Sequence, residues 1–349
     1  MAPHPTEDAT VRWRTWHLHL PSWGVDVTDR ALNVGVTPAV ARYASAPAPA
    51  PAPVVAPGVR ADGSAAPRGG EHPWFFVRYW QGGPHLRLRI AGLDDEAAEG
   101  VEDLLRRAVA TVDAEVPAER RLTQADYAAA VGALARTGEG TGPLDPGALR
   151  PSGVVRAAYV PEHERYGGAG LMPLSEDLFH RSSALALGAC REPRTRRQVF
   201  GQALAATAVA AGALPEPERR PFLEAVRDGW AAWLTAHDRN DERSVPPAPA
   251  EPGTVPGVSS ALRAQADRLR SAAPELRRLM RDPGPPWEAW AAPLRAAVDT
   301  WSTAPGGRER ALGVLGSHLH MTLNRLGAGT AQEARLATLM LLVTGESLP

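Results

Sequence analysis

WFFVRYWQGGPHLRLRI, residues 74–90, is the stretch from which the fold can be read. Two runs rich in aromatic and aliphatic residues, Trp74–Trp80 and His85–Ile90, flank Gln81-Gly82-Gly83-Pro84. Turn residues between such runs predict a β-hairpin. Side chains alternate faces along a strand, so Leu86, Leu88 and Ile90 share one face and suit a core. His85, Arg87 and Arg89 share the other. Arginines at i and i+2 on one face repel unless an anion or carboxylates lie between them. Two readings stay open here: an ordinary solvent-facing strand, or a face that grips carboxylate through planar, bidentate guanidinium groups.

On the N-terminal side, Arg12–Leu20 alternates as a strand does, with Trp13, Thr15, His17 and His19 on one face. His17 and His19 are placed to ligate a metal, but no third ligand is evident nearby, and no metal site is expected. Val27–Tyr43 reads as helix. Ala46–Pro57 is a near-perfect Ala-Pro repeat that leads into a Gly- and Pro-rich run. It reads as a semi-rigid spacer within a Pro/Ala-rich insertion at 46–70. On the C-terminal side, Asp94–Val116 spaces Val101, Leu104, Leu105, Ala108 and Val112 as an amphipathic helix. A Gly- and Pro-rich loop is expected over Thr137–Gly153. From Pro173 onward helices are expected near 173–190, 193–213, 216–237, 258–280, 287–302, 306–326 and 331–344. Pro-rich loops at Asp238–Gly257 and Asp282–Pro286 separate some of them. The fold class is therefore α+β, an antiparallel sheet in the N-terminal half packed with a helical C-terminal half. One domain is expected over residues 1–349.

Whole-chain chemistry narrows the function. The net charge is -1, and every one of the 38 basic residues is arginine. No global field draws the chain to nucleic acid or an anionic membrane. A single cysteine, Cys190, excludes an internal disulfide and a cysteine-based zinc site, and its apolar surroundings suit a buried small residue. Neither a signal peptide nor a membrane span is legible, so a cytoplasmic protein is expected. G-x-S-x-G, Walker A and H-E-x-x-H motifs are absent, and Gly167-Gly168-Ala169-Gly170 does not fit a dinucleotide loop.

Two further blocks carry polar groups in unusual density. YVPEHERYGG, residues 159–168, runs a charged cluster into a glycine turn. Glu162 and Arg165 fit either a surface ion pair or a carboxylate holding a guanidinium toward a ligand. SHLHMTLNRL, residues 317–326, lies in a helical pattern that puts His320 and Asn324 on one face and His318 on another. A histidine is the natural proton carrier near neutral pH, though a helical histidine bonded to a neighbour is the commoner case.

Taken in order, the hairpin, PEHERYGG (161–168), SEDLFHRSS (175–183) and SHLHMTLNRLG (317–327) resemble one family. It is the C-terminal, glutamate-elimination domain of class I lantibiotic dehydratases, in the stand-alone form of thiopeptide-type biosynthesis. The resemblance covers roughly residues 12–345. It implies removal of glutamate from glutamylated Ser or Thr of a ribosomal precursor peptide, leaving dehydroalanine or dehydrobutyrine. A separate glutamyl-tRNA-dependent enzyme would add the glutamate, and no cofactor or metal is implied. By the resemblance, Arg89 and Arg165 hold the glutamyl group and the enolate, His320 moves the proton, and Glu162 orients Arg165. Arg87, His85, Arg78 and Asn324 are expected to bind substrate, Arg87 in the most structural role. The same family contains pyridine synthases, which join two dehydroalanines by a formal [4+2] cycloaddition and release the leader peptide. A non-catalytic leader-binding scaffold is a further alternative.

Overall fold

The computed structural model describes residues 13–44, 72–137, 147–238 and 259–344. The Ala-Pro repeat, the insertion at 46–70, and most of the loops expected at Thr137–Gly153 and Asp238–Gly257 lie outside the described residues.

The hairpin forms as its sequence predicts. β2 (Trp74–Tyr79) pairs antiparallel with β3 (His85–Ala91), from Trp74 opposite Ile90 to Tyr79 opposite His85. The turn needs glycine: Gly82 and Gly83 have φ of 76° and 102°. β1 (Trp13–His19) pairs with the far side of β3, and β4 (Gly153–Ala157) pairs with β1, giving a four-stranded antiparallel sheet in the order β2-β3-β1-β4. β4 begins at Gly153, where the expected loop ends, in a stretch to which the sequence assigns no element. It is an edge strand with Val155 exposed, so it lacks the apolar alternation that marks the others.

One face of the sheet is apolar, as expected. Phe76, Leu86, Leu88, Ile90, Trp16 and Leu18 are buried on it. α3 (Asp95–Glu115) packs against β1 and β4 there, and its N-terminus is capped by Asp94, which accepts from the Ala97 N–H. α1 (Val25–Ala31) continues through a π-helical turn at Leu32–Val36, α2 (Thr37–Ala39) and a second π-helical turn at Val40–Ala44. A helix unread in the sequence, α4 (Gln124–Thr137), ties to the hairpin turn through Tyr127, whose hydroxyl accepts from the Gly82 N–H at 2.7 Å.

The C-terminal half is helical: α5 (Met172–Ala189), α6 (Arg196–Gly212), α7 (Glu216–Asp238), α8 (Ser260–Leu269), α9 (Ala273–Arg281), α10 (Glu288–Thr303), α11 (Gly307–Leu326) and α12 (Thr330–Val343). The helix expected over 258–280 is two, broken by a 3-10 turn at Arg270–Ala272 just before Pro274, whose ring suits a helix start and not an interior. A continuous apolar core joins the sheet to the helices, with Trp16, Trp290 and Trp301 each about fully buried. No helix among the described residues is long and apolar enough to cross a membrane.

What positions the site is the free edge of β2. An edge strand exposes unpaired N–H and C=O groups. Here α5 and α11 satisfy them with side chains. Ser183 accepts from the Phe76 N–H at 3.2 Å, and Arg325 Nε donates to the Phe76 carbonyl at 2.8 Å. Asn324 accepts from the Arg78 N–H and donates to the Arg78 carbonyl, both at 2.9 Å, as a neighbouring strand would. His180 Nδ1 lies 2.9 Å from the Trp74 carbonyl. Asn324→Ala removes a donor and an acceptor together from partly buried backbone. It should cost about 2–4 kcal/mol in urea unfolding, and a loss below about 0.5 kcal/mol would show that the edge does not depend on this pairing.

Candidate active site

Every residue to which the resemblance gave a site role lines one cavity of about 320 Å³: Arg78, His85, Arg87, Arg89, Glu162, Arg165, His320 and Asn324. Its walls are the arginine face of the hairpin, the loop at 159–168, α5 and α11. The solvent-facing reading of that sheet face does not hold, because Thr15, His19 and His85 on it are buried.

The loop is held by its turn. Tyr166 is buried edge-to-face against Phe179 and His318, with ring centroids 4.8 and 5.2 Å away. The two glycines after it have φ of 94° and 105°, and the Gly168 N–H donates to the His163 carbonyl at 2.7 Å. This reversal aims Arg165 inward. Glu162 bonds Arg165 Nη1 at 3.1 Å, and Arg165 Nε donates to Ser317 Oγ on α11 at 3.3 Å. Glu162 is exposed and Arg165 partly buried, so this pair sits at the cavity mouth.

Deeper in are two guanidinium groups with no ion pair among the described residues. Arg89 lies over the rings of Tyr159 and Phe75, at 4.8 and 5.1 Å, and its Nε is shut off from solvent without a hydrogen-bond partner. Arg325 is fully buried. Besides its bond to β2 it donates through Nη1 to Ser182 Oγ at 3.1 Å, while Nη2 has no partner. Burial, with repulsion from neighbouring arginines, pushes Arg89 down to about 10 and Arg325 down to about 9. Both remain charged near neutral pH. A partly buried carboxyl, Glu176, also interacts with Arg89, but it is bonded to Tyr159 and Trp13, and its burial raises its pKa. The cavity is thus rich in desolvated positive charge.

The remaining residues divide clearly. His320 Nδ1 is 2.7 Å from Glu333 Oε1 on α12, and its ring lies against Trp230. Arg87 donates from Nε to His85 Nε2 at 3.1 Å and stacks on Tyr79. Arg78 spends donors on Asp29 and the Arg325 carbonyl, and Asn324 spends both ends of its amide on β2, so both build the frame of the cavity. His318 is buried against Trp301 and bonded to Ser175, and burial drives its pKa well below the usual value. Its separation from His320 follows from helical spacing. His17 and His19 do have a third histidine beside them, because β3 brings His85 within 5.1 and 4.6 Å of their ring centroids. Burial lowers these three to about 3, 4 and 2 respectively. Among the described residues no such group is arranged to hold a metal ion. Cys190 is buried, and its thiol is pushed up to about 11 by that burial.

Arg325, Glu333, Tyr159 and Glu176 escaped the sequence reading. Arg325 had the best signal, since it follows Asn324 within a block already singled out. Glu333 had none, because its partner lies across a helix turn.

The chain belongs to the lantibiotic biosynthesis dehydratase C-terminal family, whose model matches residues 63–343. Membership places it among proteins that modify ribosomally made peptides. Solved structures that share its fold include the pyridine synthase TbtD from thiomuracin biosynthesis, with a TM-score of 0.64 and 18% identity, covering 96% of this chain and 98% of that one. The tRNA-dependent lantibiotic dehydratase MibB from Microbispora sp. 107891 matches at 0.53 and 18% identity, covering 99% of this chain but 29% of MibB. TsrL matches at 0.56 and 16% identity, covering 97% of this chain and 95% of its own. No curated protein matches the chain.

A contrast of two variants tests the charge imbalance. Arg89→Met removes a guanidinium that forms no ion pair among the described residues, so stability should stay within about 1 kcal/mol of the parent. Asp29→Ala strips the buried carboxylate shared by Arg78 and Arg194, and should cost about 3–5 kcal/mol. Equal losses in denaturant unfolding would mean that Arg89 is as well paired as Arg78.

Proposed function

We infer that the protein removes glutamate from glutamylated Ser and Thr side chains of a ribosomal precursor peptide, a lyase reaction that leaves dehydroalanine or dehydrobutyrine. The observation that carries this reading is the pair of desolvated guanidiniums, Arg89 and Arg325, neither of which forms an ion pair with a carboxylate among the described residues; Glu162 and Glu176 act on Arg89 only through space. Unmated charge in a low-dielectric site is costly unless a ligand supplies the counter-charge. Glutamate carried over from tRNA is esterified through its α-carboxyl, so its γ-carboxylate is free to meet them.

The elimination breaks the Cα–H and Cβ–O bonds and forms the Cα–Cβ π bond and the bond from the base to the proton. A base takes the α-proton of the modified residue, the electron pair forms the Cα–Cβ double bond, and the Cβ–O bond breaks to release glutamate as a carboxylate. His320, on the cavity wall, is the group suited to move the proton. Arg165, steadied by Glu162 and Ser317 at the mouth, is placed to stabilise negative charge developing on the enolate or on the leaving carboxylate. In this reading the glutamate is added beforehand by a glutamyl-tRNA-dependent activity; the chain spans 29% of the length of MibB.

A second reading has an observation of its own. TbtD matches over nearly its full length and with the higher TM-score, which favours a pyridine synthase by overall shape. Fold alone does not select a reaction, and a cycloaddition between two neutral dehydroalanines gives the arginines nothing to neutralise. Intact mass spectrometry of a glutamylated precursor incubated with the protein separates the two. Elimination should remove the adducts and leave each processed residue one water lighter. Alanine at Arg89, Arg165 or His320 should slow this by about 100-fold or more. Adducts that persist, with leader release from a peptide already bearing dehydroalanines, would establish cycloaddition instead.

A further inference from the structure

We propose that Glu333 is a positioning residue that fixes the tautomer and orientation of His320; the proposal rests on the reading of His320 as the proton carrier. The turn after α11 creates the pair. Gly327 takes a left-handed φ of 90°, and the Ala328 N–H bonds back to the Leu323 carbonyl. The chain thereby reverses, and α12, beginning at Thr330, returns Glu333 to α11 after one turn. The two side chains meet at 2.7 Å and are 7% and 1% exposed. They are withdrawn enough from water for the contact to be selective.

With Glu333 ionised, its carboxylate only accepts hydrogen bonds, and the proton of a neutral His320 then resides on Nδ1. Nε2 then holds the lone pair. It is the ring atom through which His320, a cavity-lining residue, can take a proton from substrate. The ring has little freedom to flip, because Trp230 of α7 lies against it with centroids 5.0 Å apart. Once His320 is protonated, the Glu333 charge stabilises the imidazolium, the role a buried carboxylate plays behind a general-base histidine. The contact also joins α11 to α12. A merely structural tie would need the hydrogen bond but neither the charge nor a particular tautomer.

Glu333→Gln separates these roles, since its amide oxygen still accepts from Nδ1 while the charge is gone. On a Ser-glutamylated peptide, kcat should fall about 10–100-fold with KM within about twofold. His320→Ala measured alongside should lose turnover. Two-bond 1H–15N correlations of the imidazole rings, taken on the protein without substrate, should show His320 protonated on Nδ1 in the parent and a mixture of tautomers in Glu333→Ala. Full kcat in both Glu333→Gln and Glu333→Ala while His320→Ala is inactive overturns the positioning role and leaves the role of His320 standing. Full turnover in His320→Ala overturns both. An Nε2-protonated ring in the parent overturns the proposal by itself.

Discussion

A strand at the edge of a sheet presents backbone donors and acceptors that must be satisfied, and β2 meets them with side chains from α5 and α11. Asn324 and Arg325 of one helix, with Ser183 and His180 of the other, take the place of a fifth strand. The consequence is positional. A helix docked through side chains on a strand edge has its register fixed to that strand, and α11 carries His320 into the cavity one turn before Asn324. Arg325 serves both purposes: its Nε completes the strand edge, and the residue also lines the cavity, with its buried Nη2 unpartnered among the described residues. The cavity wall and the fold therefore share one set of contacts.

The arginines show the distinction between frame and site. Where a guanidinium holds the fold together, the chain provides a buried carboxylate: Asp29 receives Arg78 at 2.6 Å and Arg194 at 2.7 Å. Arg89 and Arg325 form no such ion pair among the described residues; Glu162 and Glu176 reach Arg89 only electrostatically. The difference is hard to reconcile with a purely structural role for both pairs. It fits a site whose counter-charge arrives with the substrate.

Much of the fold was legible because it depends on local pattern. The hairpin followed from its glycine turn and alternation, and the long helices from 3.6-residue spacing. β4 and α4 were not, since β4 is short, exposed and paired only on one edge, and α4 carries little apolar periodicity in its small residues. The break before Pro274 was a missed proline signal. The cavity residues were legible as blocks, but their partners were not. Alternation puts Arg78 on the apolar face opposite Leu86, where a charge is unexpected until Asp29 is seen beside it. Glu333 meets His320 only because the chain reverses at Gly327, a tertiary event that no side-chain spacing announces.

The claim on which the account turns is that Arg89 and Arg325 are completed by a carboxylate of the substrate. A crystal structure of the protein with a peptide whose glutamyl ester is replaced by an amide, on 2,3-diaminopropionate in place of serine, tests it directly because the amide cannot be eliminated. The account requires a glutamyl carboxylate within hydrogen-bond distance of both guanidiniums, with the diaminopropionate Cα facing His320. A glutamyl group bound outside the cavity, or a bound peptide that leaves both arginines without an anion, would contradict it.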